Sequence, residues 1–91
     1  MQLTDHILIG AKCAPEEKIL SAIAAAGGTA VELYLAPAHL ESVSRIVRCC
    51  NAFSFTWALH APTSGYNPQA LAELAASVNA SVITFHAIYW E

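Results

Sequence analysis

Three side chains able to bind a metal or move a proton lie in or at the end of apolar, strand-like segments of this sequence. Glu32 lies within segment 30–35, and His60 and His86 end the segments 55–60 and 81–86. Imidazole and carboxylate groups are the usual ligands of zinc, manganese and iron, and a catalytic metal needs about three of them with one position open. Each histidine alone also suits a hydrogen-bonded strand end. Two at matching height favour a metal-binding pair, and we expect all three side chains to point into one cavity.

Glu32 and two further site candidates have more than one interpretation. A carboxylate inside a strand is costly to bury without a partner, so Glu32 is expected to orient a ligand, bind a substrate hydroxyl or pair with a buried lysine. Lys12 is a candidate for that partner and for substrate binding, although it also fits an ordinary solvated loop. Tyr66 is a candidate for binding substrate. It belongs to a set of aromatic residues that suit either a pocket or the core: Tyr34, Trp57, Tyr66, Tyr89 and Trp90.

Proline and glycine divide the chain into alternating strands and helices. Pro15 and Pro68 suit the first position of a helix, where a missing N–H costs nothing, and Gly27-Gly28 suits a helix end. Helices with an apolar stripe of helical period are expected over about 15–26, 39–50 and 68–78. Strands are expected over 7–10, 30–35, 55–60 and 81–85, with 11–14 as a loop.

The strand ends recur at nearly equal spacing. By subtraction of their numbers, Gly10, Leu35, His60 and His86 lie 25, 25 and 26 residues apart. Strands alternating with helices in this way form parallel sheets through right-handed crossovers. A complete (β/α)8 barrel needs about 250 residues, so we predict an α/β fold, the parallel β-α-β-α-β-α-β half of such a barrel with strand order 1-2-3-4. An open doubly wound sheet is the alternative, although the Rossmann and Walker glycine patterns are both absent.

The composition is unusually apolar for a single domain of this size, residues 1–91. Hydrophobic residues make up 56% and charged residues 12%, with a mean hydropathy of +0.47. Four barrel strands alone would leave two bare edges and an open inner face. In whichever alternation holds, that face would carry residues such as Leu8, Val31, Leu33, Trp57, Leu59 and Ile83. We therefore expect a homo-oligomer, such as a homodimer, or a partner chain that completes the barrel.

Charge and cysteine content argue against several classes of function. The net charge is −3 with four Lys and Arg residues, so the chain lacks the basic surface that nucleic acid requires. No apolar run approaches ~18 residues and the N-terminus does not resemble a secretory signal, so we expect a cytoplasmic protein without a membrane segment. Cys13, Cys49 and Cys50 lack the spacing of a disulfide framework or a zinc finger, and we expect them to be reduced and packed.

Three motifs resemble, in their order and spacing, the N-terminal half of the xylose-isomerase-like barrels: Val31-Glu32-Leu33, Leu59-His60-Ala61-Pro62 and Val82-Ile83-Thr84-Phe85-His86. That superfamily contains sugar phosphate isomerases and epimerases and endonuclease IV-type apurinic endonucleases. The resemblance covers nearly the whole chain and implies a catalytic Glu32 and metal ligands at His60 and His86. The chain departs from the family at 87–88, where Pro-Gly is common, and lacks the later strands that carry most ligands of the sugar isomerases.

Three functions are therefore expected as alternatives. The first is a sugar isomerase or epimerase that uses a divalent metal (Mn, Zn or Co) on a small carbohydrate or sugar phosphate. In it Glu32 is catalytic, His60 and His86 bind metal, and Lys12 and Tyr66 bind substrate. The second is a non-catalytic half-barrel subunit or truncated product. The third is an endonuclease IV-like phosphodiesterase, which the acidic charge disfavours.

Overall fold

The computed structural model describes residues 10–86, which form one four-stranded parallel sheet with helices between the strands. The elements are β1 (Gly10–Cys13), α1 (Glu17–Ala25), β2 (Ala30–Tyr34), a 3-10 helix (Pro37–Glu41), α2 (Val43–Asn51), β3 (Thr56–His60), α3 (Pro68–Ser77) and β4 (Val82–Thr84). The strand order is β1-β2-β3-β4, and every pairing is parallel. The predicted α/β class, parallel sheet and three α-helices are confirmed. Within 10–86, no helix combines the length and apolar character needed to cross a bilayer.

The first strand lies later in the chain than the sequence predicts. The predicted strand 7–10 reaches the described residues only at Gly10, and 11–14 were expected to be a loop. In the structure Gly10–Cys13 pairs in register with residues 30–33 of β2. The expectation of a loop at 11–13 is therefore wrong. The apolar run 7–9 dominates the local pattern, whereas the alternation through Ala11 and Cys13 is too weak to indicate a strand.

The segment after β2 forms two helices where the sequence predicts one. The 3-10 helix Pro37–Glu41 ends at Ser42, whose φ of −134° and ψ of 47° are not helical, and α2 begins at the next residue. His39 closes the 3-10 turn, because its Nδ1 accepts a hydrogen bond of 2.8 Å from the backbone N–H of Ala36. Burial is the main cause that lowers the pKa of His39, and this favours the neutral ring that the bond requires.

Two helices end with the same hydrogen-bond pattern. After α1, Gly27 has a φ of 88° and the N–H of Gly28 donates to the carbonyl of Ile23 at 2.9 Å. After α3, Asn79 has a φ of 54° and precedes an equivalent bond of 2.9 Å. A left-handed residue followed by such a bond is a Schellman ending. Both helices therefore return the chain to the sheet by the same reversal.

One face of the sheet, the covered face, packs against the helices. Right-handed crossovers between successive neighbouring strands place all three α-helices on the same side. Alternate residues of the central strands are buried on that side against the apolar stripes of the helices. The buried core consists of Leu20, Val31, Leu33, Leu35, Leu40, Ile46, Cys50, Trp57, Leu59, Ala61, Leu71, Leu74 and Val78.

The opposite face, the open face, carries the other alternating set of strand residues. These are Gly10, Lys12, Ala30, Glu32, Tyr34, Thr56, Ala58, His60, Val82 and Thr84, and none of them is buried. Most are small or polar. The expectation that the open inner face carries Val31, Leu33, Trp57 and Leu59 is wrong, because these side chains are buried on the covered face. Leu8, which was expected with them, lies outside the described residues.

Candidate functional site

Glu32, His60 and His86 lie together at the carboxyl edge of the sheet. Glu32 is in the middle of β2, His60 is the last residue of β3, and His86 follows β4 by two residues. The parallel register aligns the strand ends, since His60 pairs with Tyr34 on one side and with Thr84 on the other. Ligands of parallel α/β proteins bind at this edge. The structure thus brings together the three residues that the sequence proposes.

His60 lies between the other two side chains and contacts both. Its Nδ1 is 3.3 Å from Oε2 of Glu32, and its Nε2 is 3.2 Å from Nε2 of His86. A carboxylate can only accept a hydrogen bond, so in the neutral ring Nδ1 of His60 carries the proton and donates to Glu32. Nε2 of His60 then presents a lone pair, which accepts from the Nε2–H of His86. Glu32 therefore selects the tautomer in which Nε2 of His60 is a base or a ligand.

Glu32 and His60 are shielded from water to different degrees. The His60 side chain is 13% exposed and the Glu32 side chain is 30% exposed. Partial burial limits the access of water to the hydrogen bond between them. Glu32 can therefore orient the neutral ring of His60, as metal binding requires.

An aromatic ring and a lysine extend this group toward β1. The ring of Tyr34 stacks on His60, with centroids 4.6 Å apart and planes at 15°. His60 meets the ring of His86 edge-on, at 4.8 Å and 65°. Nζ of Lys12 lies 4.5 Å from the centroid of Tyr34. In the sequence, Tyr34 is only one of several aromatic residues that suit either a pocket or the core. The signal that could have found it is its position two residues after Glu32, which puts both on one face of β2.

A cavity of about 540 Å³ lies on the open face beside this group. Lys12 and Glu32 line it together with small residues of the strands, such as Ala30 and Ala58. Its lining includes the first residues of β1, β2 and β3, so the cavity extends toward the amino ends of the strands. The two histidines are not part of the lining. Of the three residues expected to share one cavity, the structure places Glu32 alone in this one.

His60 and His86 fit two positions of a metal site. In a tetrahedral zinc site with Zn–N bonds of about 2.0–2.1 Å, two ligand nitrogens lie about 3.3 Å apart. The two Nε2 atoms are 3.2 Å apart, a spacing that also suits an N–H···N hydrogen bond. Glu32 holds Nδ1 of His60, as the outer partner of a metal-binding histidine commonly does. Among residues 10–86, no group of three or more His, Cys, Asp or Glu could hold a metal ion.

Within residues 10–86, Tyr66 makes no hydrogen bond or ring contact with Glu32, His60 or His86. It is half-buried in the loop after β3 and packs against the core. Packing against the core is enough to explain an aromatic residue at this position. Its role in binding substrate stays a prediction.

The three cysteines are free thiols with little nucleophilic character. Burial is the main cause that raises the pKa of Cys13 and of Cys49, and it raises the pKa of Cys50 to about 12. The thiolate is the form that attacks electrophiles and binds metals. The raised pKa values therefore favour the packing role that the sequence predicts over redox chemistry.

Comparisons with other proteins identify no relative of this chain. No family model matches the sequence, and comparisons with curated proteins and with solved structures give no match either. The resemblance to the xylose-isomerase-like barrels therefore depends on the three short motifs alone. Function has to be inferred from the geometry of the site.

Proposed function

We propose that this chain is one half of a (β/α)8 barrel of the xylose-isomerase-like type and carries part of the divalent-metal site of a sugar isomerase or epimerase. The observation that carries the proposal is the 3.2 Å spacing of Nε2 of His60 and Nε2 of His86, with Glu32 on the other nitrogen of His60. A parallel sheet with its helices on one side and ionisable groups at its carboxyl edge supports the barrel assignment. The substrate class is a small carbohydrate or sugar phosphate.

The residues of the site take separate roles in this proposal. His60 and His86 hold the ion (Mn²⁺, Zn²⁺ or Co²⁺), which when bound would polarise the oxygens of the substrate. Glu32 is the general base that moves a proton next to the carbonyl. Its Oε2 faces His60, so Oε1 is the oxygen that remains for substrate. Lys12 lines the cavity beside Glu32 and binds the substrate there.

A second chain belongs to this proposal. In the described sheet β1 and β4 are the outer strands, each with one edge that pairs with no strand of residues 10–86. A second copy related by a two-fold axis would pair both edges and close an eight-stranded barrel. It would also bring a second set of the same ionisable groups to the mouth of the barrel. A homodimer in the cytoplasm, where thiols stay reduced, is the assembly we propose.

Replacing the histidine pair tests the proposal directly. We expect the wild-type chain, equilibrated with Mn²⁺, Co²⁺ or Zn²⁺ and then dialysed, to retain a stoichiometric amount of one of these metals in elemental analysis. A variant with both His60→Ala and His86→Ala should retain none, because it lacks both imidazole ligands. Far-UV circular dichroism would show that the variant is folded.

His39→Ala is the matched control for this experiment. His39 closes the 3-10 turn through the N–H of Ala36 and makes no hydrogen bond or ring contact with Glu32, His60 or His86 within residues 10–86. Its replacement should leave the metal content unchanged. Stoichiometric metal in the double variant would assign the ligands to other residues and overturn the proposal.

A non-catalytic half-barrel subunit is the second candidate. The observation in its favour is that no group of three or more His, Cys, Asp or Glu among residues 10–86 could hold a metal ion. A wild-type chain that forms a stable oligomer but retains no metal would support it. The phosphodiesterase alternative is weaker, because the net charge is −3 and Lys12 is the only Lys or Arg on the described open face.

A further inference from the structure

We propose that Tyr34 is a positioning residue of this site, whose ring fixes the plane of the His60 imidazole and so the direction in which Nε2 of His60 points. The inference goes beyond the proposed function. It depends on that function only for the ligand that His60 would hold, because the contacts among the side chains are independent of any ligand.

The hydrogen bond to Glu32 leaves the ring of His60 free to turn. At 3.3 Å the Nδ1–Oε2 distance is slightly longer than the usual range of about 2.7–3.2 Å, so this bond is a weak constraint. The terminal side-chain torsion of histidine is also intrinsically broad. Rotation about it would move Nε2 of His60 away from His86 while leaving the backbone unchanged. A second contact is therefore needed to hold Nε2 of His60 in place.

The ring of Tyr34 supplies that contact. It is nearly parallel to His60, at 15° with centroids 4.6 Å apart, and it comes from the residue that pairs with His60 in the sheet register. Turning the imidazole about its terminal torsion would drive its edge into the Tyr34 ring. The stack thus fixes the plane of the ring. Of the two ring orientations that share this plane, the hydrogen bond to Glu32 selects the one in which Nδ1 faces Glu32 and Nε2 faces His86.

In the single chain Tyr34 has no part in the core under the helices. It is 45% exposed on the open face and lies outside the buried core. Its ring contacts are with His60 and with the ammonium group of Lys12. A tyrosine that contributes little to the core and stacks on a site histidine has a role at the site.

Lys12 supports Tyr34 from the side opposite His60. β2 lies between β1 and β3, so Lys12 and His60 approach the Tyr34 ring from opposite neighbouring strands. Lys12 is the register partner of Glu32, yet within residues 10–86 the side-chain hydrogen bond of Glu32 is with His60. The lysine instead makes a cation–π contact, which is favourable at partly exposed sites. Lys12 therefore acts on the site through Tyr34 as well as through the cavity.

The test compares Tyr34→Leu with Tyr34→Phe in the full chain. The readouts are the nitrogen-15 NMR signals of His60 at pH 8 without metal, which report its tautomer, and Zn²⁺ affinity from competition with a chelator. Tyr34→Leu should mix the His60 tautomers and weaken Zn²⁺ binding by about 10–100-fold, as loss of an outer partner of a ligand does. Tyr34→Phe keeps the stacked ring and should stay within about twofold of wild type. Lys12→Met should have a smaller effect than Tyr34→Leu.

Phe53→Leu is the matched control. It removes one ring of the Phe53–Phe55 stack, with centroids 5.5 Å apart, just before the amino end of β3. It should leave the tautomer and the Zn²⁺ affinity unchanged. Wild-type values in Tyr34→Leu, or equal losses in Tyr34→Leu and Tyr34→Phe, would overturn the positioning role. In a third outcome, neither the wild type nor any variant binds metal, while Tyr34→Leu still changes the tautomer of His60. That result would support the positioning role of Tyr34 and overturn the proposed function.

Discussion

The two faces of the sheet differ in the size and polarity of the side chains that the same strands supply. On the covered face, Val31 and Leu33 of β2 and Leu59 of β3 are at most 2% exposed and pack against the helices. On the open face, the residues between them are Glu32, Ala58 and others that are small or polar. Period-two alternation in a strand thus separates two kinds of residue within five positions.

Because of this difference, we attribute the stability of the fold to the covered face and the proposed chemistry to the open face. Burial of apolar area contributes about 25 cal/mol per Å², and the largest fully buried side chains of the described chain are on the covered face or in the helices and loops that pack with it. The ionisable contacts of Glu32, His60 and His86 are all on or beside the open face. Substitutions on the covered face should therefore leave the proposed site nearly intact. Substitutions on the open face should leave the stability of the fold nearly unchanged.

The largest expected effect is on the covered face. Leu59→Ala removes a side chain with 0% exposure and should lower the free energy of unfolding by about 2–5 kcal/mol, because it leaves a cavity among packed neighbours. Urea unfolding followed by tryptophan fluorescence would measure it. Thr56→Ala, on the open face of the same strand, is the control and should cost less than about 0.5 kcal/mol. Equal losses of unfolding free energy in the two variants would contradict the view that the covered face carries the stability.

A smaller effect on the covered side is a loss of stability at alkaline pH. Burial raises the pKa of the Cys50 thiol from 9.0 to about 12. Between these values the unfolded chain loses the thiol proton while the folded chain keeps it, so stability falls as pH rises above about 9. Unfolding free energies measured from pH 8 to pH 10 should decline in the wild type.

The control for the alkaline effect is Cys50→Ala. This variant should show a flatter dependence on pH, whatever its stability at pH 8. A residual slope is expected from Cys13 and Cys49, because burial raises the pKa of both. An unchanged slope in Cys50→Ala would mean that Cys50 is not the group that titrates.

The smallest expected effect on stability is on the open face. Glu32→Gln keeps the shape and an acceptor oxygen for Nδ1 of His60, and it should change the free energy of unfolding by less than about 1 kcal/mol. The same variant should weaken Zn²⁺ binding by about 10–100-fold, since it removes the charge behind a ligand histidine. Urea unfolding and chelator competition on one sample would measure both. A stability loss like that of Leu59→Ala would show that the open face also holds the fold together.

Much of the fold could be predicted because its signals are local. Pro68 as the first residue of α3 is confirmed, with the side chain of Asn67 accepting a bond of 2.8 Å from the N–H of Gln69. The even spacing of the strand ends predicted the parallel order. β1 was misplaced because its own residues carry too little apolar character. Residues such as Val31, Leu33, Trp57 and Leu59 were expected on the wrong face, because alternation alone does not say which face the helices cover.

The ionisable residues of the candidate site were predicted from the sequence, whereas its aromatic residue, Tyr34, was missed. Glu32, His60 and His86 stand out in the sequence because ionisable groups are rare in apolar segments. Tyr34 does not, because an aromatic residue in a strand is ordinary, and its role depends on the register that sets it beside His60. Contacts across strands depend on that pairing, which a sequence pattern specifies only to within a residue or two.

The neighbour-to-neighbour order of the strands has a consequence for how the chain folds. The register partners Gly10 and Ala30, Ala30 and Thr56, and Ala58 and Val82 are 20, 26 and 24 residues apart. No pairing in the described sheet skips a strand, so each loop closes at a similar and modest entropic cost. The sheet can therefore grow one strand at a time from β1, in the order in which the chain is synthesised. His86 follows β4, so in this order the contact between His60 and His86 forms only after β4 has joined the sheet.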